Sequence, residues 1–363
     1  MRVLQLAKRS VTLLAAVSVA LIGCSDSGPD VPFNPAGTSA DIEAVNAAFG
    51  SSTFASFSSL SVLFDAAYTG FPLVSSSARA LDIRAGNATG MRAAAIRSAK
   101  RLAALRPAPP NSSFSASSAA IPSEIAGKTY EYSGGSYVPT DRTGAPANGV
   151  RFLLYAVDPV TFQPVEPLVE TGHVDITDLS GTTTQSARVE VVSGTTTYLD
   201  YTVTASSVTG RVTVIGFVTN GTHRANLNLL ATLTSANSLT LVYGLDVPQR
   251  DVSIVLNLTA TGLDTETSTF NVLLSMSGPN GTLSISGQFT STGGTLTVRT
   301  GDRTLAIITV SGTAEPVITG ADGLPISDED AAALRRVFQL AAEAFASFEG
   351  LLGPVGFFLE PAA

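Results

Sequence analysis

The chain has 363 residues and a formal net charge of −8, with 44% hydrophobic and only 14% charged residues. Ample apolar material excludes intrinsic disorder for most of the chain, and a single cysteine excludes a disulfide scaffold. The acidic balance disfavours nucleic-acid binding, which needs a basic footprint. With so few charges, the surface must consist mainly of serine, threonine, asparagine, glycine and alanine.

The N-terminus carries the strongest signal in the sequence. Three basic residues within the first nine precede an apolar run over 11–22, which is broken only by Thr12 and Ser18. The run is too short to span a bilayer comfortably, but it has the length of the apolar core of a signal peptide. It ends in the tetrapeptide LIGC, which closes at Cys24.

This leader resembles those of bacterial lipoprotein precursors, in which a small apolar stretch ends in Gly or Ala before a cysteine. The resemblance implies cleavage after Gly23, lipidation of Cys24 and anchoring in the cell envelope. Ser25 favours the outer membrane over the inner membrane, whereas Asp26 leaves that sorting open. The alternative is an ordinary secretory signal or membrane anchor with a chance cysteine. Removal of the leader, 1–23, takes away three positive charges and no negative ones, which leaves a body of charge −11.

The next part of the chain divides into a tether, a helical segment and a linker. Prolines and glycines make 24–40 a flexible or partly extended tether, and 107–123 is a linker rich in proline and serine. Between them, 41–106 predicts helices, because apolar residues recur at steps of three and four. The last of these helices, over 91–105, is basic. It is either a membrane-surface contact beside the anchor or, as we favour, a solvated face of a helix packed against an acidic body.

A long stretch of period-2 alternation follows the linker. Between about 128 and 318, apolar and short polar residues alternate, which predicts an antiparallel β body over 124–319 with one wetted face. The close spacing of the runs predicts a meander of about eleven strands. Two runs, 150–157 and 212–218, are apolar on both faces and should be covered on both sides. The strongest predicted hairpin turns are Asn220-Gly221 and Asn280-Gly281.

Residues 320–363 return to a helical pattern. Ser327 is a predicted cap for a helix whose first turn holds three acidic residues. Gly350 or Gly353 should end this helix, because Pro354 does not continue one. The apolar tail that follows the proline, over 355–359, is unexplained unless it packs on the body.

These elements predict a mainly β fold with flanking helices, of the α+β class: a long antiparallel meander, curled or shaped as a half-barrel, covered by N-terminal and C-terminal helices. About eleven strands make a sheet on the order of 50 Å wide, whereas three helices cover about 30 Å of it. The sheet must therefore curl, split into a sandwich, or leave apolar surface for a ligand. In architecture alone it resembles the half-barrel lipoprotein carriers of the bacterial envelope, of the LolA/LolB and LppX/LprG types. No motif matches those families, so no site residue is carried over from them.

The excess of apolar face predicts a carrier that binds a lipid or another hydrophobic ligand, with a dry core beneath the helices as the alternative. On the carrier hypothesis, Phe338, Phe345 and Phe348 of the C-terminal helix act as a plug or lid. The rival function is a structural, surface-display or adhesion protein on a tether, without a small-molecule ligand. The side chains expected to line the concave face are Leu229, Leu241, Tyr243, Ile254, Leu256, Val272, Leu274 and Ile285.

The sequence carries no recognisable catalytic machinery, cofactor motif or strong metal site. The two histidines, His173 and His223, stand without a nucleophile and an orienting partner, so we expect no enzyme and no cofactor. His173, Asp175 and Asp178 make a weak metal-site candidate, because on a strand position 178 faces away from the other two. Four further acids lack the spacing of a calcium loop, and a first helical turn explains three of them. They are Asp322, Asp328, Glu329 and Asp330.

We predict that Cys24→Ser abolishes both labelling by a palmitate analogue and association of the protein with membranes. The physical reason is that stable anchoring takes two or more acyl chains, and the cysteine sulfur starts their attachment. Metabolic labelling followed by membrane flotation, compared with the unaltered chain, measures both. Labelling and flotation that survive the substitution would contradict the lipoprotein interpretation.

Overall fold

The computed structural model describes residues 33–67, 88–104 and 120–359, except positions 159, 160, 162, 183, 207, 208 and 236. Within these ranges it describes all side chains but those of 61–67, 91, 94, 101–104, 341–349 and 357. The leader 1–23, Cys24, most of the tether 24–40 and most of the linker 107–123 lie outside the described residues.

The described ranges contain four α-helices: α1 (Pro35–Ala48), α2 (Ser52–Ala67), α3 (Ala88–Ala104) and α4 (Asp328–Leu359). The sequence predicts a tether up to 40, but α1 already begins at Pro35. Asn34 caps this helix, because its side-chain oxygen accepts a 2.9 Å hydrogen bond from the Gly37 N–H. Proline is favoured in a first helical turn, so the local sequence supports the earlier start.

The end of α4 also corrects the sequence prediction. The helix runs through Gly350, Gly353 and Pro354 to Leu359, where the sequence predicts a stop. Proline removes one hydrogen bond from a helix, and packing can compensate for that loss. Here the end of the helix packs in the core, and its buried apolar side chains between Leu351 and Leu359 are each at most 4% exposed. They are Leu351, Leu352, Val355, Phe358 and Leu359.

The body is one sheet of fifteen strands, where the sequence predicts about eleven. Three of the fifteen, at or beside the two edges, have only four or five residues, so their period-2 alternation does not stand out. The strands are β1 (Thr129–Ser133), β2 (Ser136–Thr140), β3 (Gly149–Tyr155), β4 (Glu170–Asp178), β5 (Thr184–Ser193), β6 (Thr196–Ser206), β7 (Arg211–Thr219), β8 (Arg224–Ser235), β9 (Ser238–Val247), β10 (Val252–Thr261), β11 (Thr269–Gly278), β12 (Gly281–Thr290), β13 (Gly293–Thr300), β14 (Arg303–Ser311) and β15 (Val317–Gly320).

Chain order and spatial order agree from β3 to β15, and each of these strands pairs antiparallel with the next. The predicted meander is confirmed over these strands. The N-terminal edge differs, because β1 pairs with β3 in parallel and β2 lies outside β1. The sheet is therefore mixed rather than wholly antiparallel. Period-2 alternation predicts a strand but not its partner, so the parallel pairing of β1 with β3 cannot be predicted from it.

The two faces of the sheet differ in polarity. Buried apolar side chains from every strand between β3 and β14 join those of all four helices in one hydrophobic core, and we call this side the core face. The opposite side is the outer face. The run 150–157 is buried along nearly all of β3, as predicted. The run 212–218 is not, because Ile215 of β7 is 58% exposed on the outer face, so that prediction is wrong.

The two predicted hairpin turns are present, with a shifted register. Between β11 and β12, Gly278 pairs with Gly281, so the two-residue loop is Pro279-Asn280. Gly281 follows the loop with φ of +100°, a conformation that side-chain-bearing residues rarely adopt. The β7–β8 connection uses four residues, 220–223, instead of two.

A buried carboxylate ties α1 to the turns of the sheet. Asp41 is 2% exposed, and its Oδ1 accepts a 3.1 Å hydrogen bond from Arg250 Nη2 in the β9–β10 turn. Its Oδ2 accepts a 2.9 Å hydrogen bond from Asn280 Nδ2 in the β11–β12 turn. The Asn280 side chain in turn accepts a 3.0 Å hydrogen bond from the cap residue Asn34. The start of α1 and two hairpin turns therefore form one polar network.

We predict that Asp41→Ala lowers the free energy of unfolding by about 2–3 kcal/mol, because Arg250 and Asn280 both lose a buried acceptor. Urea unfolding measures this difference. The control is Glu43→Ala on the same helix, which removes an exposed ion pair with Arg336 at 3.0 Å and should cost no more than about 0.5 kcal/mol. Equal losses in the two variants would contradict a special role for the Asp41 network.

Candidate functional site

The eight predicted lining residues lie together on the core face of β8–β12. Period-2 alternation fixes the face, and short turns fix the register, so the sequence identified one contiguous apolar surface. Five of the eight form a single cross-strand row, and the other three flank it. The row is Leu229, Tyr243, Leu256, Leu274 and Ile285, and the flanking residues are Leu241, Ile254 and Val272.

These eight side chains are packed against their neighbours. Their exposed fractions run from 0% to 4%. A cavity wide enough for an acyl chain leaves the residues that line it open to molecules the size of water. In this state of the protein the row is therefore part of a close-packed core. A ligand-lining role for these residues stays a prediction.

The three phenylalanines predicted as a plug all lie in α4. Phe338 is 1% exposed and belongs to the same core as the row. Phe345 and Phe348 have helical backbone, and their side chains lie outside the described part of the structure. A plug role for the three together stays a prediction.

A second apolar contact area surrounds the end of α4, and no local sequence pattern indicates it. We call residues Leu351–Leu359 the C-terminal segment. Tyr201 of β6 is 1% exposed, and its hydroxyl donates a 2.6 Å hydrogen bond to the Leu351 carbonyl oxygen. This burial raises the pKa of Tyr201 well above its usual 10, so the hydroxyl remains a donor at neutral pH.

Aromatic rings approach the same area from three elements. The Phe358 ring of the C-terminal segment lies 6.5 Å from the Phe152 ring of β3, measured between centroids. Phe152 also stacks on Tyr130 of β1 at 5.1 Å. The Phe57 ring of α2 lies 6.4 Å from Tyr201. The C-terminal segment is therefore bordered by large apolar surfaces.

Charged side chains form a row on the outer face. Arg151, Asp175, Glu190 and Asp200 pair in succession across β3, β4, β5 and β6. Arg151 donates two 2.7 Å hydrogen bonds to the two carboxylate oxygens of Asp175. Arg188 donates two 2.8 Å hydrogen bonds to Asp200 and lies 3.5 Å from Glu190. Each guanidinium is thus committed to a carboxylate in bidentate geometry, which leaves the row little capacity to bind a further anion.

His173 lies beside this row, with its Nε2 atom 3.9 Å from Asp175 Oδ2. Burial, followed by the positive charge of Arg151, lowers the pKa of His173 below 6.5 and outweighs the opposing effect of nearby acids. The imidazole is therefore mainly neutral at pH 7. Because Asp175 is already committed to Arg151, it is poorly placed to orient His173 for acid–base catalysis.

The other polar candidates have structural contacts. Asp178 accepts hydrogen bonds from two backbone N–H groups, at 2.8 and 3.3 Å. Ser327 accepts a 3.1 Å hydrogen bond from the Asp330 N–H, which confirms it as the cap of α4, and Asp322 accepts one from a loop N–H at 3.0 Å. His223 lies in the β7–β8 turn. Within the described ranges, no three His, Cys, Asp or Glu side chains gather where they could hold a metal ion.

The basic helix α3 packs on the body. Ala88, Ala95 and Ala99 are buried in the common core. Arg92 donates hydrogen bonds of 3.1 Å to Ser268 Oγ and 2.7 Å to the Thr265 carbonyl, both in or beside the β10–β11 loop. These contacts favour the interpretation of a packed helix with a solvated basic face over a membrane-surface contact.

Two further observations concern the chain as a whole. None of the helices in the described ranges is long and apolar enough to cross a membrane. Comparison of the chain with protein-family models, with curated proteins and with solved structures gave no match.

We predict that His173 titrates below pH 6.5 and that Arg151→Gln raises its pKa, because the substitution removes a nearby positive charge. A lowered pKa in the folded state means that the unfolded chain binds the proton more readily. The stability that this group contributes is therefore complete above about pH 6.5 and is lost as the pH falls toward the folded-state pKa.

NMR titration of the histidine ring protons measures the pKa of His173 in the unaltered chain and in Arg151→Gln. The variant His223→Gln shows which of the two histidine signals belongs to His173. A pKa of 6.5 or higher for His173 in the unaltered chain would contradict the prediction.

Proposed function

We propose that the protein is a lipid-anchored, non-catalytic component of the bacterial cell envelope, held by Cys24 in the outer membrane. The order of basic residues, apolar run and LIGC tetrapeptide supports the anchor. The single cysteine supports it as well, because a lone thiol in an exported protein is otherwise a reactive leftover. Two or more acyl chains suffice for stable attachment to a membrane.

We propose further that the sheet curls around the helices as a half-barrel. Fifteen strands span on the order of 70 Å, and four helices side by side cover about 40 Å. Burial of core-face side chains on every strand from β3 to β14 supports a sheet that wraps its helices. The 32-residue helix α4 contacts the other three helices and strands as distant in the sheet as β5 and β15, which supports a central position for it.

A structural, display or adhesion role fits the body best. The observation that carries this proposal is the packing of the predicted lining row, whose side chains are at most 4% exposed. A carrier with an open cavity needs lining side chains that are accessible to a ligand. The outer face supports the same role, since it carries ion pairs already committed to each other and mostly short polar side chains. Such a module displays a surface on a tether without a small-molecule ligand.

A carrier of a hydrophobic ligand is the second candidate. It is favoured by the end of α4, which packs in the core although Gly350, Gly353 and Pro354 interrupt its sequence. Helices bend or open most readily at such residues. The apolar face beneath α4 could then become accessible without unfolding of the sheet. Neither candidate involves nucleic acid, which the acidic charge of the body disfavours.

We predict that the body, purified from cells in a form that lacks the lipid anchor, shows the mass of the chain alone in native mass spectrometry. A close-packed interior leaves no volume for a lipid that would survive purification. The same sample measured after denaturation gives the reference mass. An additional mass of a lipid or fatty acid that is present in the native sample and absent after denaturation would favour the carrier over the structural role.

A further inference from the structure

We propose that two copies of this chain pack face to face through the outer face of β7–β11. The two copies are related by a two-fold axis that runs parallel to the strands and passes over Asn228 of β8. This inference rests on the structural and display role proposed above, and it names a second copy of the chain as the partner of the displayed surface. It depends on the sheet and not on the anchor at Cys24.

Apolar side chains are exposed in the middle of this face. Ile215 of β7 is 58% exposed, Val255 of β10 is 38% exposed and Leu273 of β11 is 47% exposed. The half-buried Leu230 and Val242 pair with each other on the two strands between them. Opposite and diagonal neighbours on one face of a sheet lie within reach of each other, so the five side chains form one patch. A contiguous apolar patch on a surface is typical of an interaction site.

The same part of the outer face carries few charges. Strands β10 and β11 contain no charged residue. The charged residues of β7, β8 and β9 lie at or beside the strand ends, and they are Arg211, Arg224 and Asp246. Because the chain has a net charge of −8, two copies repel each other over most of their surfaces. An uncharged middle is typical of the core of an interface, and it is where two acidic copies approach at the lowest electrostatic cost.

A hollow in the patch matches its most exposed side chain. Ile215, Asn228 and Gly244 pair in succession across β7, β8 and β9, so they form one row. A Cβ on Gly244 would meet nothing closer than the Asn228 carbonyl oxygen at 3.4 Å, so the sheet itself does not require glycine there. Glycine inside a strand weakens it and often marks a close approach by another chain. An axis over Asn228 sets Ile215 of each copy above Gly244 of the other.

The same axis brings charges of opposite sign together. The Asn226 side chain accepts a 2.9 Å hydrogen bond from Arg224 Nε and donates a 3.2 Å hydrogen bond to Asp246 Oδ2. The Arg224 guanidinium lies over the Phe217 ring of β7, 3.7 Å from its centroid, whereas Asp246 is on β9.

Arg224 and Asp246 therefore flank Asn226 on opposite sides, and the rotation places Arg224 of each copy opposite Asp246 of the other. Within the described residues neither side chain has an ion-pair partner, so both are available to a second copy. Such complementary charges fix the register of an interface.

The size of the face suits a stable dimer. Five strands about 4.8 Å apart, each with about nine residues, make an area of about 24 by 30 Å. This is roughly 700 Å² per copy, close to the roughly 800 Å² that each partner buries in an interface of standard size. Sheets that pack face to face commonly keep their strand directions within about 30°, as an axis parallel to the strands requires. Strand β8 is the eighth of fifteen, so the contact is centred on the middle of the sheet.

Sedimentation of the mature chain from residue 24 with Cys24→Ser, over a concentration series, measures the dimer. We expect the dissociation constant to rise roughly a hundredfold in Ile215→Ser, because each dimer loses two buried isoleucine side chains. Gly244→Val fills the hollow and should remove the dimer while the circular dichroism spectrum stays unchanged. The matched control is Thr295→Val, which adds the same side chain to the outer face of β13, outside the contact, and should leave the dimer as it is.

A pair of charge reversals tests the two-fold geometry. In a dimer of Arg224→Asp or of Asp246→Arg, like charges face each other twice, so each variant alone should be monomeric. An equal mixture of the two should form a mixed dimer, because each of its two contacts then joins one acid to one arginine.

The full chain with its leader gives a second readout in cell envelopes. Stacked sheets lie about 10 Å apart, so a short bismaleimide should link two copies of Asn228→Cys across the axis. The control Thr295→Cys should give no linked dimer.

A chain that sediments as a monomer overturns the proposal and leaves the patch to a different protein or to the membrane surface. Equal dimerisation by Ile215→Ser and the unaltered chain also overturns it, as does a mixture of the charge variants that stays monomeric. If Gly244→Val fails to fold, that mixture still decides. The display role and the anchor are tested separately, by mass spectrometry and by labelling of Cys24, and neither test involves the outer face.

Discussion

One continuous apolar face, shared by twelve neighbouring strands, holds the described part of this protein together. Every strand from β3 to β14 contributes buried side chains to the same core. Because side chains alternate between the two faces of a strand, a register slip of one residue would expose that strand's whole apolar set. Each strand is therefore held in register by its own hydrophobic pattern as well as by its neighbours. The turns follow from this face, because they connect its strands, and side chains of all four helices belong to the same core.

Electrostatic interactions contribute less to the stability of this structure than the packing of the apolar face does. The bidentate pairs Arg151–Asp175 and Arg188–Asp200 sit on the outer face, partly open to water, where ion pairs contribute little stability. The Asp41 network differs because it is buried and links α1 to two turns. The edges are protected by simpler means: β2 contains Pro139, and β15 has only four residues. Short edges and proline both discourage pairing with strands of other chains.

Much of this fold could be predicted from the sequence, because most of it depends on local periodicity. The residues of the row from Leu229 to Ile285 pair across neighbouring strands, since alternation and short turns determine both face and register. Three features depend instead on distant parts of the chain. They are the parallel pairing of β1 with β3, the helix that continues through Pro354, and the hydrogen bond from Tyr201 to Leu351. A local pattern does not contain the packing that stabilises them.

The candidate site, too, has a part that local periodicity predicts and a part that depends on distant packing. Sequence reasoning found the apolar surface but not whether its side chains enclose space, because a lined cavity and a packed core share one hydrophobic pattern. The local sequence also predicts that α4 ends at Gly350 or Gly353, before Pro354, so it does not indicate the helical C-terminal segment. Tyr201 offered a signal in retrospect, since a tyrosine at a core-facing position of a strand needs a partner for its hydroxyl.

Helix α4 follows the sheet in chain order, whereas the other three helices precede it, and this arrangement has a consequence for the order in which the core forms. Helices α1, α2 and α3 all contact α4, and the pair between Glu43 and Arg336 spans 293 residues. A ribosome synthesises the chain from its N-terminus, so the early helices that contain Ile42 and Phe57 can pack against α4 only after all fifteen strands have been made. The sheet can grow strand by strand in the meantime, because its contacts are between neighbours in the chain. The core is therefore completed only after α4 has been made, and a chain that lacks α4 leaves the apolar residues of α1, α2 and α3 without that packing partner.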